Sequence, residues 1–385
     1  MNEKGVLVKR LGKRRLEAFI FLTIFMSFFG YLASHMGLAN MLNTIMRTAH
    51  DLLMNTVFYI MGITVLAGAL GKLMIEFGVV RLLESILAPF MRPLFNLPGV
   101  ASLGALMTFF SDNPAIISLA NDKNFKNYFK KYELISLTNF GTAFGMGLIV
   151  LTFMFGKGFF TEALIGFSGA IIGGMVSTRI MQKLTKKSFE DEKCDDENCQ
   201  GNNENISFKS EGNLFLRFLN SILDGGKQGV ELGLAIIPGV IIISSIIMIL
   251  TFGAHDPSIG YTGAAYEGVP LLPKIAGYLD WLFALLFGFD YPELIAFPIT
   301  SLGAVGAALS IAKEFITRGI AGGNEVAVFT AMGMCWSGYL STHTAMLDAL
   351  NSRNLTSKAL LSHTIGGLAA GVSAHYIYLL FTYIF

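Results

Sequence analysis

Val230 to Phe252 reads VELGLAIIPGVIIISSIIMILTF, with one charge near its start. Runs of this kind exceed the roughly 18 apolar residues that mark a bilayer-spanning helix, and several recur along the chain. A chain so built must satisfy its backbone polar groups internally wherever it meets lipid, which restricts it to bundled helices when the runs are this long. The composition agrees: 53% of the residues are hydrophobic and only 14% charged. Forty-two glycines and 33 phenylalanines suit close helix packing in lipid. A net charge of +1 argues against a nucleic-acid partner. The N-terminus is basic, then apolar, without a small-residue cleavage site, and is expected to be a retained first helix with its six basic residues in the cytoplasm.

The expected crossings are Leu16 to Met36, Asn55 to Phe77, Leu134 to Phe155, Phe160 to Met181, Val230 to Phe252 and Leu360 to Phe385. Leu82 to Phe95, with Pro89 and Pro93, reads as an amphipathic helix in the membrane interface, and Ile275 to Phe289 as a second amphipathic segment. Val100 to Ala120 is apolar but broken by Ser111, Asp112, Asn113 and Pro114. Pro292 to Ile316 is a further apolar segment of uncertain path. Lys183 to Glu211 is the one long polar stretch, with too little apolar surface to offset the entropy of ordering. The expected organisation is a basic N-terminus and first helix (1–50), a first repeat (51–182), a polar linker (183–212) and a second repeat (213–385).

Repetition is the strongest internal signal. FFSDNPAIISLANDKNFK from Phe109 aligns without a gap on YLSTHTAMLDALNSRNLT from Tyr339, and SLTNFGTAFG from Ser136 falls on SHTIGGLAAG from Ser362. Charge then favours a particular path. If Val100 to Ala120 crossed, the loops carrying Lys123, Lys126, Lys130 and Lys131, and Lys183, Lys186 and Lys187, would both lie outside, against the positive-inside rule. A hairpin turning back at Ser111 to Pro114 keeps both loops cytoplasmic and makes the repeats antiparallel. The same reasoning requires Pro292 to Ile316 to turn back. The fold expected is an all-α multi-pass membrane protein of two inverted repeats with broken or re-entrant helices, about eight crossings or hairpins in all.

Polar side chains at membrane depth are costly unless they face a cavity, a partner or an ion. Ser341, Thr342, His343 and Thr344 form an unbroken polar block in an apolar run, and Ser111, Asp112 and Asn113 form the break aligned with it. Together they are the candidate solute or ion ligands, with Asp112 as counter-charge or coupling-ion ligand and His343 as ligand or proton-linked gate. Ordinary alternatives stand beside this: back-bonding of the hydroxyls to their own helix, a buried packing role for His343, and helix capping by Asp112. Thr138, Asn139, Thr142, Ser362, His363 and Thr364 are second-rank candidates. Asn324, Glu325, Lys313 and Glu314 sit near segment ends, where a solvated or snorkelling role is expected. There is no phosphate loop, nucleophile elbow, HExxH or dinucleotide fingerprint, so neither an enzyme nor a cofactor or metal site is expected.

GMCWSGYLSTHTAMLDALNSR and SDNPAIISLANDKN, with the duplicated architecture, resemble the YjiH-like membrane proteins that carry nucleoside recognition (Gate) domains, over about Leu16 to Phe385. The wider Gate group is similar to concentrative nucleoside transporters, to the membrane part of the ferrous iron transporter B and to spore maturation proteins A and B. The resemblance implies a transporter-like fold and a homo-oligomer. It points to an ion-coupled transporter of a small polar solute, nucleoside-like or amino-acid-like, driven by sodium ions or protons. A non-transporting structural or regulatory membrane protein and an ion or metal permease are its alternatives. The chain lacks the GTPase domain and membrane cysteine pair expected of an iron transporter.

Overall fold

The computed structural model describes residues 3–111, 114–121, 123–189 and 213–384. Helices dominate these residues: α1 (Glu3–Met36), α2 (Leu38–Asp51), α3 (Phe58–Glu76), α4 (Val79–Phe95), α5 (Ala101–Phe110), α6 (Pro114–Asn121), α7 (Lys123–Lys126), α8 (Lys131–Thr142), α9 (Gly147–Gly156) and α10 (Phe160–Lys186). After the central segment follow α11 (Leu214–Ala235), α12 (Ser245–Thr251), α13 (Leu271–Ala276), α14 (Asp280–Phe287), α15 (Ala296–Gly303), α16 (Val305–Thr317), α17 (Gly323–Cys335), α18 (Tyr339–Ala349) and α19 (Thr356–Ile384). Six helical stretches among the described residues are long and apolar enough to cross a membrane, and a seventh arises if Leu271–Phe287 and Pro292–Gly303, bent by 76°, form one span. The chain is a multi-pass membrane protein.

Two compact units emerge. In the smaller, residues 1–51 and 245–271, α1 packs on α2 and α2 on α12. Its core gathers Leu32, Met36, Met41, Ile249 and Val269. The fully buried Glu267 is satisfied by the amides of Thr262, Gly263 and Ala264 and by the Thr262 hydroxyl, which makes the loop between α12 and α13 a turn folded around a carboxylate. Asn40 donates to the Tyr261 carbonyl at 2.9 Å and fixes that loop against α2.

The larger unit, 52–244 and 272–385, holds the duplicated architecture. Small residues set its closest contacts. Gly225, Gly229 and Gly233 recur every fourth position on α11, and a Cβ at Gly229 would lie 2.3 Å from the Thr64 carbonyl oxygen of α3. Backbones can approach this closely only where side chains are absent, and the Thr64 hydroxyl closes the gap by donating to the Gly229 carbonyl at 2.6 Å. Likewise α10 lies antiparallel on α19: Gly169 meets Ala374, Gly173 meets Ala370 and Ser177 meets Gly366.

Both doubtful segments turn back. A Cβ on Gly104 of α5 would sit 2.4 Å from Ile116 of α6, although a straight helix would hold residues twelve apart about 18 Å from each other. The side chain of Ile116 fits between Gly104 and Gly141 of α8. In the second half, Phe297 of α15 stacks on Phe329 with ring centres 4.2 Å apart, while Phe315 of α16 approaches the same ring at 6.1 Å. The turn is at Ala304, in extended backbone. The first hairpin is therefore α5–α6 and the second α15–α16.

Each hairpin is followed by a broken helix, and here the structure corrects the sequence alignment. α8 begins with Glu133 accepting the Lys130 amide at 3.0 Å, and α17 begins with Glu325 accepting the Gly322 amide at 2.7 Å. At the same spacing from each glutamate the helix breaks at a left-handed residue: Met146 (φ 54°) before α9 and Gly338 (φ 65°) before α18. Gly141 and Gly333 occupy matching positions and receive Ile116 of one hairpin and Phe297 of the other. The copies thus pair α8–α9 with α17–α18, α10 with α19, and hairpin with hairpin. Phe109–Lys126 and Tyr339–Thr356 are not equivalent, because one spans a hairpin tip and the other the second half of a broken helix. Their match is one of small and polar residues alone. The inversion itself stands, since α8 packs on α18, α9 on α17, and α10 runs antiparallel to α19. Glu325 is buried as an N-terminal cap rather than solvated, because its carboxylate accepts the Gly322 amide just before α17 and the Asn324 side-chain amide.

Candidate functional site

The two left-handed breaks and the tip of the second hairpin open onto one cleft of about 330 Å³. Met146, Gly338, Gly303, Ala304 and Ile236 shape it, and Ser337, Ser341 and Thr342 supply its hydroxyls. Those of Ser341 and Thr342 have no partner among the described residues. The breaks arise for a local reason: at Gly338 a missing Cβ permits left-handed backbone, whereas Met146 adopts it at a cost of about 1–2 kcal/mol. Strain held at such a point accompanies function more often than packing. Beyond each break a new helix of ten or eleven residues begins.

Ser111 follows the last turn of α5 and lines a separate, small cavity with Thr64, Lys72, Ile149 and Gln228. That space, about 20 Å³, is of the size that holds one water. Leu232 borders both cavities. Asp112 and Asn113 lie outside the described residues. Thr344 donates to the carbonyls of Leu340 and Ser341, the back-bonding alternative, and is not part of the cleft lining.

His343 faces away from the cleft. Fully buried, it directs Nδ1 to the Tyr339 carbonyl, stands 4.6 Å from the His363 ring centre, and its Nε2 has no partner among the described residues. Beside it three of the second-rank candidates, Asn139, Ser362 and His363, form one network through Ser177. Asn139 donates to the hydroxyls of Ser177 and Ser362 and to the Ala359 carbonyl, at 2.8 to 2.9 Å. Ser177 bonds His363 Nδ1 at 2.8 Å, and His363 Nε2 bonds the Cys335 carbonyl. Thr364 bonds the Tyr339 hydroxyl at 2.6 Å; Thr142 donates to the Thr138 carbonyl, and Thr138 Oγ1 is buried without a partner among the described residues. These bonds tie α8 to α10 and α19, and α18 to α19. No group of three or more metal-ligating side chains occurs among the described residues.

Sequence reasoning missed Ser177, Met146 and the tip at Gly303 to Gly306. A lone serine in an apolar helix carries no signal of its own. The two breaks, however, could have been found by aligning Glu133 with Glu325.

Residues 57–158 match the Gate family, described as nucleoside recognition; the match ends just past α9 and so covers the first broken helix and its hairpin. The chain is 35% identical over 124 residues to the sporulation integral membrane protein YlbJ of Bacillus subtilis (strain 168), covering 31% of this chain and 29% of that protein. It is 30% identical over 113 residues to an uncharacterized protein of Alkalihalophilus pseudofirmus, covering 28% of this chain and 24% of that protein. The matched region thus spans less than a third of either curated relative. Among solved structures, CNTnw in an inward-facing substrate-bound state is similar with a TM-score of 0.55 at 16% identity, over 83% of this chain and 74% of that one. A doubly substituted CNTnw in an outward-facing state is similar with a TM-score of 0.55 at 14% identity, over 96% and 86%. The match to the Gate family is thus confined to the first hairpin and broken helix, and the fold as a whole is similar to that of CNTnw.

Proposed function

We propose that this protein is a secondary-type transporter of a small polar solute of the nucleoside class, which it holds in the cleft between Met146, Gly338 and the second hairpin tip. The convergence of both helix breaks and a hairpin tip on one cleft carries this reading. Inverted repeats with broken helices place solute at the repeat interface, and half-helix ends there bind polar groups. The cleft volume falls in the range of about 300–1,000 Å³ for small-molecule sites. Ser341 and Thr342 act as hydrogen-bonding partners of the solute. A sodium ion or proton gradient drives the cycle. The basic loops put the N-terminus and residues 183–212 in the cytoplasm.

Uptake of labelled uridine, adenosine and amino acids into proteoliposomes, with an imposed sodium or proton gradient, tests the proposal. Gradient-dependent nucleoside accumulation, abolished in the Ser341→Ala/Thr342→Val variant, is the expected result. Flat uptake across all solutes and both gradients would sink it. A second reading, a non-transporting structural or regulatory role, is favoured by the identity to a sporulation membrane protein; it predicts that flat outcome.

A further inference from the structure

A groove of about 310 Å³ lies apart from the cleft, between the C-terminus of α4 and the last turns of α10. Asn96, Tyr132, Arg179, Gln182, Lys183 and Lys186 line it, and none of the six is acidic. Arg179, Lys183 and Lys186 recur at helical spacing and share one face of α10. We propose that this groove binds the phosphate headgroup of an anionic phospholipid.

The groove is built rather than incidental. Gln182, 4% exposed, donates to the Phe95 carbonyl and the Ser136 hydroxyl, each at 3.2 Å, and accepts from Asn96 at 2.9 Å. Arg179 donates from Nε to the Leu94 carbonyl at 2.7 Å and from Nη2 to the Pro93 carbonyl. It therefore offsets the partial negative charge at the end of α4 and keeps Nη1 for an anion. The ammonium groups of Lys183 and Lys186 have no partner among the described residues. Their charge is left for a ligand.

Depth and neighbours select a lipid over a soluble anion. α10 has 27 residues, hence a length of about 40 Å against a hydrocarbon core of about 30 Å, so its lysine-bearing end reaches the headgroup layer. α4 exposes Leu82, Ile86 and Phe90 at four-residue spacing, an apolar row suited to acyl chains, and ends at the groove itself. Each basic side chain near an anionic membrane surface contributes about 1 kcal/mol, so two lysines correspond to about a thirtyfold change in affinity.

The test titrates phosphatidylglycerol, phosphatidylcholine or inorganic phosphate into the purified full chain in detergent and follows the unfolding temperature, with lipid adducts counted by native mass spectrometry. The expected result is a saturable stabilisation and adduct formation by phosphatidylglycerol alone. Half-saturation in Lys183→Gln/Lys186→Gln moves about thirtyfold higher, whereas Lys274→Gln behaves like the wild type. An unchanged phosphatidylglycerol response in the double variant would overturn the proposal. So would equal stabilisation by phosphatidylcholine, or by inorganic phosphate with the same sensitivity to the two lysines, which would assign the groove to a soluble anion.

Discussion

The two broken helices share a backbone and divide their chemistry. Before its break, α8 buries Ser136, Thr138, Asn139 and Thr142; the matching stretch of α17 buries Val328, Thr330, Ala331 and Met334. After the break the pattern reverses: α9 continues Leu148, Ile149, Val150 and Leu151, while α18 continues Leu340, Ser341, Thr342 and His343. Because the copies are inverted, α8 meets α18 and α9 meets α17. The polar halves therefore pack on one another, and so do the apolar halves. Duplication supplied a symmetric frame, and the side chains break its symmetry.

Anchoring is asymmetric too, and the largest expected effect lies there. Glu133 is 1% exposed and pairs with Arg92 at 2.6 Å, whereas Glu325 caps α17 with no ion-pair partner among the described residues. Arg92→Ala should cost about 2–3 kcal/mol by removing a charged hydrogen bond from a buried carboxylate that retains the Lys130 amide, and Glu325→Ala about 1 kcal/mol by loss of a cap; thermal unfolding in detergent ranks them. Equal costs would break the comparison. Next, Asn139→Ala should cost about 2 kcal/mol by removing donors from two buried hydroxyls and a carbonyl. Thr330→Val, whose hydroxyl bonds only the Val326 carbonyl of its own helix, should cost less than about 1 kcal/mol.

A binding measurement sharpens the contrast between α18 and α9. Loss of the Ser341 or Thr342 hydroxyl should weaken nucleoside binding about tenfold, the worth of one buried hydrogen bond, while Val150→Ala should change it by less than about twofold. Equal sensitivity would place the solute elsewhere. A modest effect is expected at the breaks: Gly338→Ala should cost about 1 kcal/mol, because a Cβ is disfavoured at φ 65°.

Much of this frame was legible beforehand. Long apolar runs located α1, α10 and α19, and the lysines flanking Val100 to Ala120 required the first hairpin to turn back, which Gly104 against Ile116 bears out. The polar residues of α8, α18 and α19 stood out because lipid leaves polar groups few reasons to exist. What stayed hidden was the pairing of the repeats. Duplication preserved backbone conformation at Met146 and Gly338 while the side chains diverged, so the strongest letter match joined segments that are not equivalent. Ser177 stayed hidden for a related reason, as its partners Asn139 and His363 come from helices brought to α10 only by the antiparallel crossing.

Protection of Ser341 by solute tests the central claim most directly. In a background of Cys194→Ser, Cys199→Ser and Cys335→Ala, Ser341→Cys in proteoliposomes is labelled with a membrane-impermeant maleimide at increasing nucleoside concentration. The cleft reading predicts labelling that nucleoside suppresses, with the same concentration dependence as uptake. Labelling that no transported solute suppresses would contradict it.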